Sequence, residues 1–539
     1  MLAIALGVLI TVGFGLRATG LSTEGLSEDE LNKLNAVTDY RAHGLTSANG
    51  EHPLLMKAFI TISVIAAEKW NATSLVAAHH ELNVTVESAL RLPGALFGAL
   101  TAALIFLMAA ELFGIEIALI AAALWTFNPL AIGFNRIAKE DTFLIFFFLL
   151  GSFFWLRAQR LAESQADRNP ERYYWATAAA FGAMLASKLL PLLIAIPVAY
   201  NYAFQKIPVT RWVIGKKRFI KFFLLVGTVF VILSPSILLP GTWKAMLNFT
   251  NNKMIGHDSY EFMGLLYPHR VADWLRGEPW YFYLVLLGTK LPLLSLCAFA
   301  GGIALLFRRQ TGDGRYFLLL WLALWGLAFT VSGGKFTRYI TSVLPAVMIT
   351  AAIGVQFAAR KFGSICARLF DNASIKVYAR AALASLVIIT SFWATVYAAP
   401  HYRFYVNAIG GGSARAGYYF PQDEFYDAYV RDAMTGIARQ ARPGAHVASE
   451  LPTVAAYYAQ QLNRADLLCV ELSDTRELGK LATGDFVIDG RGRTYFSNQP
   501  MLTRLRQTSR PAFTIAVGTV PAADVYVLDE TSLVSLRGN

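Results

Sequence analysis

Long apolar segments recur through the first 400 residues and constrain this chain more than any other feature. After an opening run from Met1 to Leu16, ten more lie at about 88–110, 115–134, 142–158, 173–187, 189–204, 222–239, 280–307, 315–332, 339–358 and 381–399. A helix needs ~20 apolar residues to cross the hydrocarbon core of a bilayer. The pattern therefore predicts a mainly α-helical polytopic membrane protein with eleven spans. Only 16% of the residues are charged, against about 25% in a soluble protein. The opening run is short for a span, but no Lys or Arg precedes it and no clear A-x-A site follows it, which argues against a cleaved signal peptide.

The net charge of +12 would suggest nucleic acid in a soluble protein. Here 18 basic residues fall in four short connections, 157–172, 205–221, 308–315 and 359–380. That bias marks the cytoplasmic side of a bacterial inner (plasma) membrane and removes the need for a nucleic-acid partner. It predicts a cytoplasmic N-terminus, with 17–87, 135–141, 240–279, 333–338 and everything after residue 400 facing outward.

Residues 1–399 thus read as the membrane domain, whose first outer loop, 17–87, holds an interfacial helix over 54–67. Residues 400–539 read as a small extracytoplasmic α/β domain. Strand-length runs occur there at Val447–Leu451, Leu467–Leu472, Asp485–Asp489, Phe513–Val517 and Val525–Leu528, with helix-like stretches at Thr453–Gln461 and Met501–Gln507. Cys297, Cys366 and Cys469 form no CxxC, and only Cys469 lies in the tail, so neither zinc nor redox chemistry is indicated.

Charge is most informative where a membrane protein tolerates it. Glu28-Asp29-Glu30 follows the first span; in a pocket the mutual repulsion of three carboxylates should raise the pKa of at least one. Taken alone, the triplet reads as a solvated acidic loop or a helix N-terminus. His52-Pro53 and Lys57 open the interfacial segment, with Pro53 suited to a first helical turn. Arg136, Lys139, Glu140 and Asp141 crowd a short outer turn, where Arg136 and Asp141 could simply pair. Gly333-Gly334-Lys335 with Arg338 joins exposed backbone N–H groups to cations, which suits a phosphate, although cations snorkelling from a loop would look the same. Lys188 and Lys290 each precede a proline at an outward helix end.

These motifs, in this order, resemble the protein O-mannosyltransferase family and its bacterial relatives, which include the lipid A aminoarabinose transferases. Asp29-Glu30 is similar to the family's acidic pair, and His52-Pro53-x-x-x-Lys57 resembles its HPPLGK motif, with Leu54 and Met56 as departures. Arg91-Leu92-Pro93, Ala186-Ser187-Lys188 and Lys335-x-x-Arg338-Tyr339 also match. The most specific match is Asn135-Arg136-Ile137-Ala138-x-x-Asp141-Thr142-Phe143-Leu144, against SRIAxLDxFL.

The resemblance implies a C-type glycosyltransferase fold, a polyprenyl-phosphate-sugar donor held in membrane lipid, and an acceptor hydroxyl on a protein, lipid A or another glycolipid or polymer. It also implies inversion in a single displacement. Such a reaction needs a carboxylate base, for which Asp29 is the choice within a catalytic set of Asp29, Glu30 and Asp141. Cations must neutralise the leaving phosphate; the candidates for substrate binding are His52, Lys57, Arg136, Lys188, Lys290, Lys335 and Arg338. Asp141 would orient the acceptor or Arg136, or share a divalent cation with the Asp29 pair, although no cofactor is required. The rival reading, a transporter or flippase of lipid-linked sugars, should show repeated halves and charges at mid-membrane, and neither is visible.

Overall fold

The computed structural model describes residues 2–163, 170–204, 216–251, 257–271 and 273–538. Most of the basic connection 205–221 and part of 157–172 lie outside the described residues.

Among the described residues three helices, Val86–Phe113, Asp141–Ala162 and Ala373–Ala398, are long and apolar enough to cross a membrane. Ile115–Thr126 and Pro129–Asn135, bent by 61° at the break between them, count as a fourth if taken as one span. Leu2–Ala18 (α1), Leu293–Leu306 and Arg315–Val331 are shorter apolar helices. The expected segment 280–307 is two helices, Phe282–Lys290 and Leu293–Leu306. Their break falls at Leu291-Pro292, where proline removes a backbone donor. The expected basic connection 359–380 is mostly helix, because Leu344–Leu369 runs on and Ala373–Ala398 begins early.

Small residues set how closely these helices approach. A Cβ on Gly302 would lie 2.0 Å from the Thr350 carbonyl oxygen, and one on Gly354 would lie 2.0 Å from that of Ala298. Only glycine lets Leu293–Leu306 and Leu344–Leu369 pack backbone to backbone, the usual device between helices in lipid.

The first outer loop is built on two helices, Glu28–His43 (α2) and Leu55–Asn71 (α3). Ser27 caps α2: its hydroxyl accepts from Glu30 N, and Glu30 reaches back to Ser27 N, satisfying two donors that a helix start leaves open. The acidic triplet is therefore a helix N-terminus, where the dipole favours carboxylates. Pro53 precedes α3 instead of lying in its first turn, because Leu54 is the cap.

Beyond residue 400 the chain forms a five-stranded sheet. A separate hairpin, Ser259–Phe262 (β1) with Leu265–Pro268 (β2), comes from the loop before it. The sheet strands are His446–Ser449 (β3), Leu468–Glu471 (β4), Phe486–Gly490 (β5), Phe513–Val517 (β6) and Val520–Val527 (β7), in the order β4-β3-β5-β7-β6. β3 is parallel to both β4 and β5, while β7 is antiparallel to β5 and β6.

This C-terminal part is fastened to the first outer loop by buried polar bonds. Arg403 pairs with Glu24 at 2.5 Å, Tyr458 Oη accepts from Leu26 N at 2.6 Å, and Asp427 accepts from Glu28 N at 3.1 Å. Lys290 pairs with Glu424 at 3.0 Å.

Candidate active site

These contacts leave a cavity of about 560 Å³ between the two parts, within the size range of small-molecule sites. Its walls come from the start of α2, the loop before α3, the turn 139–140, Lys188, Arg338 and the C-terminal residues 422–427 and Arg493.

Asp29 faces this cavity from the first turn of α2. Its carboxylate pairs with Lys139 and accepts a hydrogen bond from Tyr426 Oη at 3.3 Å. Burial pushes the Asp29 carboxyl up, but Lys139, Lys33 and Arg338 outweigh it and hold the group well below the usual carboxylate range. Glu140 is kept ionised in the same way by Lys33, 3.1 Å away, and by Lys139 and Lys188. Burial lowers His52 to about 3, so it is a neutral imidazole, and lowers Lys139 to about 8.

Arg338 lies over the Phe336 ring, 3.8 Å from its centroid, with Asp423 at 3.7 Å. Asp423 is fixed in turn by Tyr260 Oη at 2.7 Å and Thr337 N at 2.8 Å. Lys188 pairs with Asp141 at 2.7 Å and sits 4.8 Å from the Tyr339 ring centroid. The second Asp141 carboxylate oxygen is buried without a hydrogen-bond partner among the described residues. A second, apolar cavity of about 320 Å³ begins at this point. Lys188 and Tyr339 line both cavities, and Leu190, Trp274, Ala328 and Val331 continue the apolar one.

The structure brings Asp29, His52, Lys188 and Arg338 to the polar cavity, with Asp141 at its apolar extension. The other expected site residues do not line this cavity. Glu30 is fully buried in a two-pronged bond to Arg91, at 2.8 and 2.6 Å, and also accepts from Ala138 N. Lys57 donates to the carbonyls of Asn49 and His52 at 2.7 and 3.0 Å, holding the loop that carries His52. Arg136 caps α1 through the Arg17 and Gly20 carbonyls, at 3.0 and 2.7 Å, and pairs with no Asp141. Lys290 ties down Glu424. Lys335 is spent on the Glu278 and Ser332 carbonyls.

Sequence reasoning left out Lys33, Tyr426, Asp423, Asp427 and Arg493. Arg493 donates to both Asp427 oxygens, at 2.8 and 2.6 Å, and lies 3.6 Å from Glu28. A signal for it existed, since Arg491-Gly492-Arg493 follows the C-terminal end of a strand, where α/β sheets place ligands.

The family profile described as dolichyl-phosphate-mannose-protein mannosyltransferase matches residues 73–238. ArnT from Cupriavidus metallidurans, in its apo crystal structure, superposes with a TM-score of 0.52, at 15% identity over 98% of each chain. The chain has the C-type glycosyltransferase fold. The archaeal oligosaccharyltransferase AglB from Archaeoglobus fulgidus, in complex with an inhibitory peptide and a dolichol-phosphate, shares this fold with a TM-score of 0.50. Its identity is 10%, over 91% of this chain and 69% of that one. No curated protein matches the sequence significantly.

Among the described residues no three His, Cys, Asp or Glu side chains gather to hold a metal. Asp29 and Asp141 are each already paired with a lysine.

Proposed function

We propose that this chain is a membrane glycosyltransferase that moves a sugar from a polyprenyl-phosphate donor to an acceptor hydroxyl, with inversion. One observation carries the reading: an apolar cavity suited to an isoprenoid chain runs into a polar one at Lys188 and Tyr339. A lipid phosphate seated at that junction would meet Lys188 and Arg338, while its sugar would extend toward Asp29. The dolichol-phosphate in the AglB complex, a protein of the same fold, supports a donor of this class.

In the proposed reaction the acceptor oxygen attacks the anomeric carbon as the carbon–oxygen bond to phosphate breaks. The acceptor proton passes to the Asp29 carboxylate, which its cations keep ionised. The polyprenyl phosphate leaves with its charge neutralised by Arg338 and Lys188 in a water-poor site. Asp141 holds Lys188 in place, and Asp423 does the same for Arg338. The sugar is a hexose or pentose. The cavity faces the extracytoplasmic side of the bacterial plasma membrane, because its walls come from segments that the positive-inside rule puts outward.

The test is reconstitution of the purified protein in lipid with a labelled polyprenyl-phosphate-sugar and, separately, with nucleotide sugars. Release of polyprenyl phosphate from the first donor alone is expected. Translocation of the intact lipid-linked sugar without cleavage would favour the flippase instead.

A further inference from the structure

A polar cavity of about 270 Å³ lies in the C-terminal part and takes no role in this chemistry. It has no lining residue in common with the first cavity but draws on the same two segments. The loop after β5 supplies Arg493 to one and Arg491 to the other, and the β1 segment supplies His257 to one and Glu261 to the other. An extended ligand in the first cavity therefore has a second polar surface beside it.

The floor is a row across the sheet. Asp489 stands opposite Asp524 in the β5–β7 pairing, and Thr514 stands opposite Asp524 in the β6–β7 pairing. Registered positions such as these share one face. Asp489 is neutralised by Arg506 through two bonds of 2.6 and 2.8 Å. Thr514 Oγ1 donates to one Asp524 oxygen at 2.6 Å, leaving the other oxygen open. Among the described residues neither the Arg491 guanidinium nor the Glu261 carboxylate makes a hydrogen bond, and the two attract each other across the cavity, where burial pushes the Glu261 carboxyl up.

The lining thus offers donors and acceptors side by side, with two guanidiniums against three carboxylates. A polyanion would meet the carboxylates, and a simple cation would meet Arg491 and Arg506. Sugar hydroxyls, each both donor and acceptor, satisfy the two kinds of group together, and bonds to charged partners are the stronger ones. We propose that this cavity is a subsite for the hydroxyls of a neutral glycan, engaging the acceptor next to the unit that reacts. The word acceptor rests on the glycosyltransferase reading; the glycan binding does not.

The experiment uses the full chain in lipid nanodiscs on a printed array of neutral linear oligosaccharides of graded length. Wild-type protein should be retained, more strongly on the longer chains, and Asp29→Asn should be retained equally. Glu261→Gln with Arg491→Gln should lose about tenfold or more in retention while still cleaving the lipid-linked donor. Asp524→Asn, which leaves Thr514 an amide oxygen to bond, should show the same direction of loss if the double variant folds poorly. Retention no better than empty nanodiscs, or unaltered by these substitutions, overturns the subsite. Retention as expected without any donor cleavage by the wild type would instead overturn the glycosyltransferase reading and leave the subsite standing.

Discussion

Asp29, in the first turn of α2, and Lys139, in the turn before Asp141, form an ion pair at the wall of the polar cavity. The pair joins two segments more than a hundred residues apart and sets the charge state of the proposed base. The ionised carboxylate is the form that takes a proton. Because the cations depress its pKa, that form persists as pH falls through the ordinary range near about 3.9. The acid limb of kcat/KM, which reports the free enzyme, should therefore lie below that range. Lys139→Met should move this limb upward. Lys139→Arg, charged throughout, should leave it low. A pH–rate series on the three proteins checks the shift.

Arg338 and Lys335 lie three residues apart and should behave differently. Arg338 lines the cavity, whereas Lys335 is fully buried on backbone carbonyls. Arg338→Ala should weaken binding of polyprenyl phosphate roughly ten- to a hundredfold, the worth of one charge-assisted bond. Lys335→Ala should leave donor affinity intact and lower the thermal unfolding midpoint. Titration with the lipid phosphate, paired with thermal unfolding, separates the two.

Lys290 tests the fastening of the C-terminal part. It pairs with Glu424 and donates to the Arg403 carbonyl at 2.9 Å, with both charged groups buried. Removing one member of such a pair strands the other, at a cost of about 3–5 kcal/mol. Lys290→Met should destabilise by this amount, and adding Glu424→Gln should recover part of it. Both variants should bind donor normally; weakened donor binding at unchanged stability would return Lys290 to the substrate site.

Much of this arrangement was legible in the chain. Each of the five sheet strands overlaps an expected run, although β7 starts five residues before its run at Val525, and Thr453–Gln461 is the helix Pro452–Gln461. The hairpin β1–β2 was not among the strand-length runs read from the sequence. Asp29, Lys188 and Arg338 stood out within motifs that resemble the family's, and they do line the cavity. Lys57, Arg136 and Lys335 stood out for the same reason but serve backbone carbonyls, a choice of partner that spacing along the chain does not reveal. Arg493 and Tyr426 belong to a sheet-bearing region of ordinary polarity. Only its docking on residues 22–28 turns them toward Asp29.

The central claim is that the Asp29 carboxylate takes the acceptor proton. Asp29→Asn keeps the shape, removes the basicity and leaves Arg338 and Lys188 for the phosphate. The decisive measurement is single-turnover sugar transfer by this variant, alongside its affinity for polyprenyl phosphate. Transfer slowed at least about a hundredfold, with donor affinity retained, is the predicted result. Near-normal transfer by Asp29→Asn, with Asp141→Asn or Glu140→Gln inactive in the same assay, would contradict it.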